Sequence, residues 1–176
     1  MPSLHYGTAR VQDEGDLIVG VRAVDEVVEL AANLKERRLE IQGNAAPVIS
    51  SSTWLSTSDA LSLDTLKGKV ILLQFWKHGC IACEDSLSFG QSLHQKLHSR
   101  GLAVIGLATA RDSRALDELL KTHHVTFPMA VDQGQNAEHY AVTACPTFFL
   151  IDKEGRTAWG FSHAPPAEYL IENLLR

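Results

Sequence analysis

Residues 70–76, Val-Ile-Leu-Leu-Gln-Phe-Trp, are apolar at every position but Gln74. Side chains on a strand alternate between two faces, so this run leaves neither face for water. Its β-branched and aromatic content suits a strand buried on both sides. A sheet containing it needs a covering layer on each face. The chain beyond supplies those layers. Residues 81–100 read as a helix with Leu87, Gly90, Leu93 and Leu97 turned inward and Gly101 as its stop. Residues 102–107 form a second buried strand. Asp112 or Ser113 can cap the next helix, whose Leu116, Leu119 and Leu120 pack down. A short strand over 127–131 and a short helix over 135–141 follow. Residues 147–151 and 157–161 pair as a hairpin across Asp152-Lys153-Glu154-Gly155, a turn ending in glycine. Residues 167–175 close the chain as a helix. Alternation followed by a hairpin predicts an α/β fold with a mixed sheet.

Ahead of this pattern, residues 1–15 show no periodicity. Val24, Val27, Val28, Ala31 and Leu34 then recur at helical spacing. Asp25, Glu26 and Glu29 lie early in that helix and Lys35, Arg37 and Arg38 late, which complements its dipole. Gly43-Asn44-Ala45-Ala46-Pro47 reads as a linker, and residues 50–58 are serine-rich. The expected division is an N-terminal extension with one amphipathic helix, residues 1–45, and a main domain, residues 46–176. The apolar face of the extension has to be covered, either by the main domain or by a second subunit. Covering in cis needs only the linker to fold back and is the expectation; monomer and dimer both stay open.

The formal charge of −5 argues against a nucleic-acid surface or an anionic-membrane binder. The longest apolar runs fall far short of the roughly 18 residues of a membrane span. Met1-Pro2-Ser3-Leu4-His5-Tyr6-Gly7 has neither the basic region nor the apolar stretch of a secretory signal. Three cysteines make no disulfide scaffold and leave at least one without an internal partner. Cytoplasmic residence is the expectation, or an extracytoplasmic one if Met1 replaces a removed signal or anchor.

Chemistry concentrates at Cys80-Ile81-Ala82-Cys83, where a buried strand gives way to a helix. Two thiols on a first helical turn can close a small disulfide with little rearrangement. The first sits at the helix N-terminus, where orphan amides and the dipole favour a thiolate, with Lys77 and His78 adding positive charge nearby. Half a zinc site looks the same. No second C-x-x-C and no H-x3–5-H follows at zinc-finger spacing, so the placement favours redox chemistry. His94 and His98 recur at i, i+4 on what reads as a solvated face, and His123 and His124 sit at a helix end.

Residues 66–83, Leu-Lys-Gly-Lys-Val-Ile-Leu-Leu-Gln-Phe-Trp-Lys-His-Gly-Cys-Ile-Ala-Cys, resemble the active-site segment of thioredoxin-like thiol–disulfide oxidoreductases. The resemblance points to the branch with bacterial membrane-anchored reductases and thioredoxin-like domains linked to NHL repeats. Residues 137–152, with Cys145-Pro146-Thr147, resemble that family's cis-proline strand, and the likeness spans roughly residues 46–175. It implies a thioredoxin-like three-layer sandwich, to which the N-terminal helical extension read from periodicity is added. It also implies dithiol–disulfide exchange in which Cys80 attacks and Cys83 resolves, with Pro146 a cis-proline facing them. Trp76, His78, Gly79, Cys145 and Pro146 would line the substrate groove. The partner would be a protein or small-molecule disulfide or thiol, with no organic cofactor and no metal.

The chain departs from that family at several places. Gly79 stands where a Trp usually precedes the first cysteine, and no proline lies between the cysteines. Gln74 replaces a buried acid; Glu84 and Asp85 are near, and both are expected to face solvent. Cys145 admits three readings: a small buried hydrophobe, a third redox partner, or a soft-metal ligand beside Cys80, Cys83 and His78. Two other functions follow as alternatives. One is a peroxiredoxin-like thiol peroxidase, against which Lys77 stands where that class places Thr. The other is a non-enzymatic soft-metal carrier using Cys80, Cys83 and Cys145.

Overall fold

The computed structural model describes residues 24–57, 61–109 and 113–176, with the side chains of residues 24–27 and 113 outside the description. The elements are α1 (Val24–Ile41), β1 (Trp54–Leu55), β2 (Val70–Lys77), α2 (Ile81–Leu97), β3 (Leu102–Thr109), α3 (Ser113–Thr122), β4 (Met129–Val131), α4 (Gln135–His139), β5 (Thr147–Ile151), β6 (Thr157–Ser162) and α5 (Glu168–Leu175). They build one six-stranded sheet in the order β1-β4-β3-β2-β5-β6. Strands β2, β3 and β4 run parallel, while β1, β5 and β6 run antiparallel to their neighbours. The apolar run of β2 therefore lies between two partners, away from either edge.

Alternation along β2 divides the core. Val70, Leu72 and Trp76 meet Leu87, Leu93 and Leu97 of α2, Leu116 and Leu120 of α3, and Ile171 of α5. Ile71, Leu73 and Phe75 point the other way, against Tyr140, Phe149 and the preceding residues Ile49 and Leu66. Each such buried aliphatic side chain contributes about 1.5–3 kcal/mol. Helices thus cover one face, and α4 with the segment leading into the sheet covers the other. This is the mixed α/β sandwich expected.

The chain divides into two units, residues 1–36 and 37–176. In the first, Val28 and Ala31 are exposed and Leu34 is half-buried; the expectations for Val24 and Val27 lie outside the described side chains. In the second, the stretch read as a linker is tied down. Gly43 N–H donates to Thr157 O at 2.8 Å, Thr157 N–H to Asn44 O at 2.9 Å, and Ala46 N–H to Gly155 O at 2.9 Å. Tyr140 Oη donates to Pro47 O at 2.7 Å. The buried Asn136 accepts from Ser50 N at 2.9 Å and donates to Ser50 O at 2.8 Å. This anchored segment delivers the two-residue strand β1, which the serine-rich composition concealed.

Other differences are local. The strand expected from residue 127 begins at Met129, because Pro128 has no N–H to add to a ladder. The helix expected to run to 141 ends at His139, with Ala141 at φ +51. The cap expected at Asp112 or Ser113 lies outside the described residues and side chains.

Candidate active site

Strand β2 ends in the exposed bend Lys77-His78-Gly79, where Gly79 takes φ +75. A side chain rarely adopts that conformation, so the glycine fits the turn that swings the chain into α2. Cys80 is the N-cap residue of α2 and accepts from Cys83 N–H at 3.3 Å. Cys80 and Cys83 are joined as a disulfide with Cα atoms 5.2 Å apart. Cys80 is half-buried, whereas Cys83 is fully buried. The Cys83 N–H also donates to Cys80 O at 2.9 Å, so it is shared between that carbonyl and Cys80 Sγ, and in the dithiol form it is positioned to stabilise negative charge on the sulfur.

Opposite this turn lies the segment entering β5. The Cys145–Pro146 peptide bond is cis, and the Cys145 carbonyl oxygen lies 3.7 Å from Cys80 Sγ. Pro146 is buried and Cys145 half-buried, the latter packed against both cores. Burial pushes the Cys145 thiol up; Lys77 opposes that shift and Asp132 adds to it. Cys145 thus shares the packing of the small-hydrophobe reading, while its backbone faces the disulfide.

Of the other residues expected at the groove, His78 and Gly79 are exposed beside Cys80. Trp76 is different: it is fully buried, because its place in the β2 alternation turns it into the helix-covered core. It backs the site instead of presenting a surface to substrate. Gln74 is also fully buried. Its Nε2 donates to Ser86 Oγ, and Ser86 Oγ donates to Cys83 O at 2.6 Å. A neutral pair therefore occupies the space beneath Cys83. Asp85 faces solvent as expected, and Glu84 is half-buried. No group of three or more His, Cys, Asp or Glu side chains among the described residues has the arrangement of a metal site.

Two features escaped sequence reasoning. Ile81 is 81% exposed next to Cys80, an apolar side chain that helical periodicity alone does not place. His163, from the connection after β6, reaches the Cys145–Pro146 segment. It lies 17 residues away in sequence, so no local pattern signals the contact.

Comparison with known proteins gives one consistent picture. The redoxin family model matches residues 41–175. The thiol-disulfide oxidoreductase ResA of Bacillus thuringiensis subsp. konkukian (strain 97-27) is 29% identical over 141 residues, covering 80% of each chain. The thioredoxin-like protein YneN of Bacillus subtilis (strain 168) is 30% identical over 118 residues, covering 65% of this chain and 67% of its own. Among solved structures, a Chlorobium tepidum chain assigned as a thiol:disulfide interchange protein DsbE superposes with a TM-score of 0.70. It is 25% identical and is covered over 77% of this chain and 98% of that one. The thioredoxin domain of a Bacteroides vulgatus thiol-disulfide oxidoreductase, 21% identical, gives 0.65 over 75% of this chain and 94% of that one, a likeness of fold.

Proposed function

The chain belongs to the redoxin family as a thioredoxin-like thiol–disulfide oxidoreductase, and on that premise we propose that Cys80 is its attacking thiol and Cys83 its resolving thiol. The observation carrying this reading is the asymmetry of the pair: Cys80 is half-buried at the helix N-terminus and Cys83 fully buried behind it. The Cys80 thiolate attacks one sulfur of a substrate disulfide, forms a Cys80–substrate disulfide, and releases the other substrate sulfur as thiolate. The Cys83 thiolate then attacks Cys80 Sγ, forms the Cys80–Cys83 disulfide and releases the remaining substrate thiolate. Solvent supplies and accepts the protons. Two protein thiols are oxidised and one substrate disulfide is reduced; the reverse sequence oxidises a dithiol. An external thiol, protein or small molecule, resets the enzyme.

In this reading His78, Gly79, Cys145 and Pro146 form the groove in which the substrate sulfur lies, and residues 46–176 are the redox domain. The proposed residence is cytoplasmic, or extracytoplasmic should a signal or anchor precede Met1; membrane fractionation of the tagged full-length protein decides between them. No helix of the described residues is long and apolar enough to cross a membrane.

Reduction of insulin disulfides by the dithiol protein tests the reading. Wild-type protein should reduce them, Cys80→Ser should be inactive, and Cys83→Ser should accumulate a mixed disulfide with substrate. Consumption of hydrogen peroxide with no insulin reduction would assign the protein to the thiol-peroxidase alternative instead.

A further inference from the structure

The segment holding Cys145 is braced from behind by one side chain. His163 Nδ1 lies 2.8 Å from Pro146 O and 3.2 Å from Thr147 Oγ1. A carbonyl oxygen can only accept, so Nδ1 carries the proton and donates to it. The Thr147 hydroxyl spends its own hydrogen on Ala144 O at 2.6 Å, so its oxygen is free to share the His163 donor. The carbonyls on both sides of Cys145, those of Ala144 and Pro146, are thereby held by one connected network. Between them the Cys145 carbonyl lies 3.7 Å from Cys80 Sγ.

The loop that presents His163 is itself fixed. Ser162 Oγ donates to Ala164 O at 2.8 Å and accepts from Ala164 N at 3.1 Å, which pins the backbone on both sides of the histidine. Pro165 and Pro166 follow, and each proline restricts both its own φ and the residue before it. An exposed histidine held on so restricted a loop is more than a solvated side chain.

We propose that His163 is a positioning residue that holds the Cys145 backbone in register for substrates carrying a peptide chain, and so tunes the enzyme toward protein disulfides over small ones. The inference rests on the exchange reading above. With the Cys145 carbonyl 3.7 Å from Cys80 Sγ, a polypeptide whose disulfide reaches Cys80 would pass that backbone and sense its placement. A small disulfide needs only Cys80 Sγ.

The test compares insulin with hydroxyethyl disulfide as substrates of the full-length chain. His163→Ala should lower kcat/KM for insulin about tenfold, the size of one net hydrogen bond, mainly through KM. Its rate with hydroxyethyl disulfide should stay within about twofold of wild type. His163→Asn, whose amide N–H can stand near the place of Nδ1–H, should restore most of the insulin rate. Thr147→Val removes the shared hydroxyl while keeping the side-chain shape, and should reproduce the same split independently. An equal loss on both substrates, or no loss on insulin in either variant, would overturn the positioning role while leaving the exchange reading intact. A wild-type protein that reduces neither substrate would overturn both.

Discussion

Cys80, Cys83 and Cys145 share one functional group and differ in surroundings. Cys83 is fully buried above the Gln74–Ser86 pair, Cys145 is half-buried between the two cores, and Cys80 meets solvent at a helix N-terminus. In its oxidised form the protein should show one titratable thiol, Cys145, with Cys80 and Cys83 paired. After reduction, limiting iodoacetamide near neutral pH should label Cys80 first, as the thiolate is the reacting species and exposure controls access. Tryptic mapping reads the order, and equal labelling of Cys80 and Cys83 would contradict the assignment of the nucleophile. Burial holds the Cys145 thiol above its ordinary range. Its labelling in the oxidised protein should therefore stay slow at pH 8 and climb only at more alkaline pH. The Cys80–Cys83 pairing and the cis bond before Pro146 were legible at this scale because each lies within one short motif. His163 and Ser86 act across the fold, and Trp76 was placed at the groove because a four-residue separation from Cys80 says nothing about which face of β2 it takes.

Elements β5 and β6 pack through a close approach that a side chain would disturb. A Cβ added at Gly160 would lie 2.3 Å from Phe149 Cδ1 and 2.8 Å from Cε1. The ring is fully buried and in contact with Phe75, Tyr140 and Phe161, so it has nowhere to turn. Between β3 and β4, a Cβ at Gly106 would lie 2.2 Å from Met129 Sδ, the far end of a flexible side chain that can swing. Gly160→Ala should therefore cost about 1–3 kcal/mol and Gly106→Ala less, measured as shifts in urea midpoint at constant m. The reverse order would mean that the ring, not the thioether, has room to move. Elements with a strong apolar period were readable in advance: β2, α2, β3 and α5 fall close to their expected bounds. Strand β1 was not, since two residues in a serine-rich stretch carry no period. The segment over residues 43–47 was misread as a linker for a related reason. Its order comes from backbone hydrogen bonds and from Tyr140, neither of which leaves a mark in Gly-Asn-Ala-Ala-Pro.

For the whole molecule, these buried groups shape how stability depends on pH. His94 is held below the ordinary histidine range by burial first and by His98 second. The unfolded chain binds that proton more readily, so stability should fall as pH drops below about 6.5. His94→Gln should flatten this acid limb. Tyr140 lies fully buried, and burial drives its phenol well above the ordinary tyrosine value. The folded state then keeps a proton that the unfolded chain loses above about pH 10, so stability falls as pH rises through that range. Cys145 acts with the same sign from about pH 8.5, so Tyr140 is best tested in a Cys145→Ala background. In that background Tyr140→Phe leaves Pro47 O without its donor and should cost about 1–2 kcal/mol at neutral pH. Above pH 10 its stability should decline less steeply than that of the parent, so the gap between them narrows. Urea midpoints from pH 7 to 11 read both effects, and parallel curves above pH 10 would show that Tyr140 does not drive the alkaline loss.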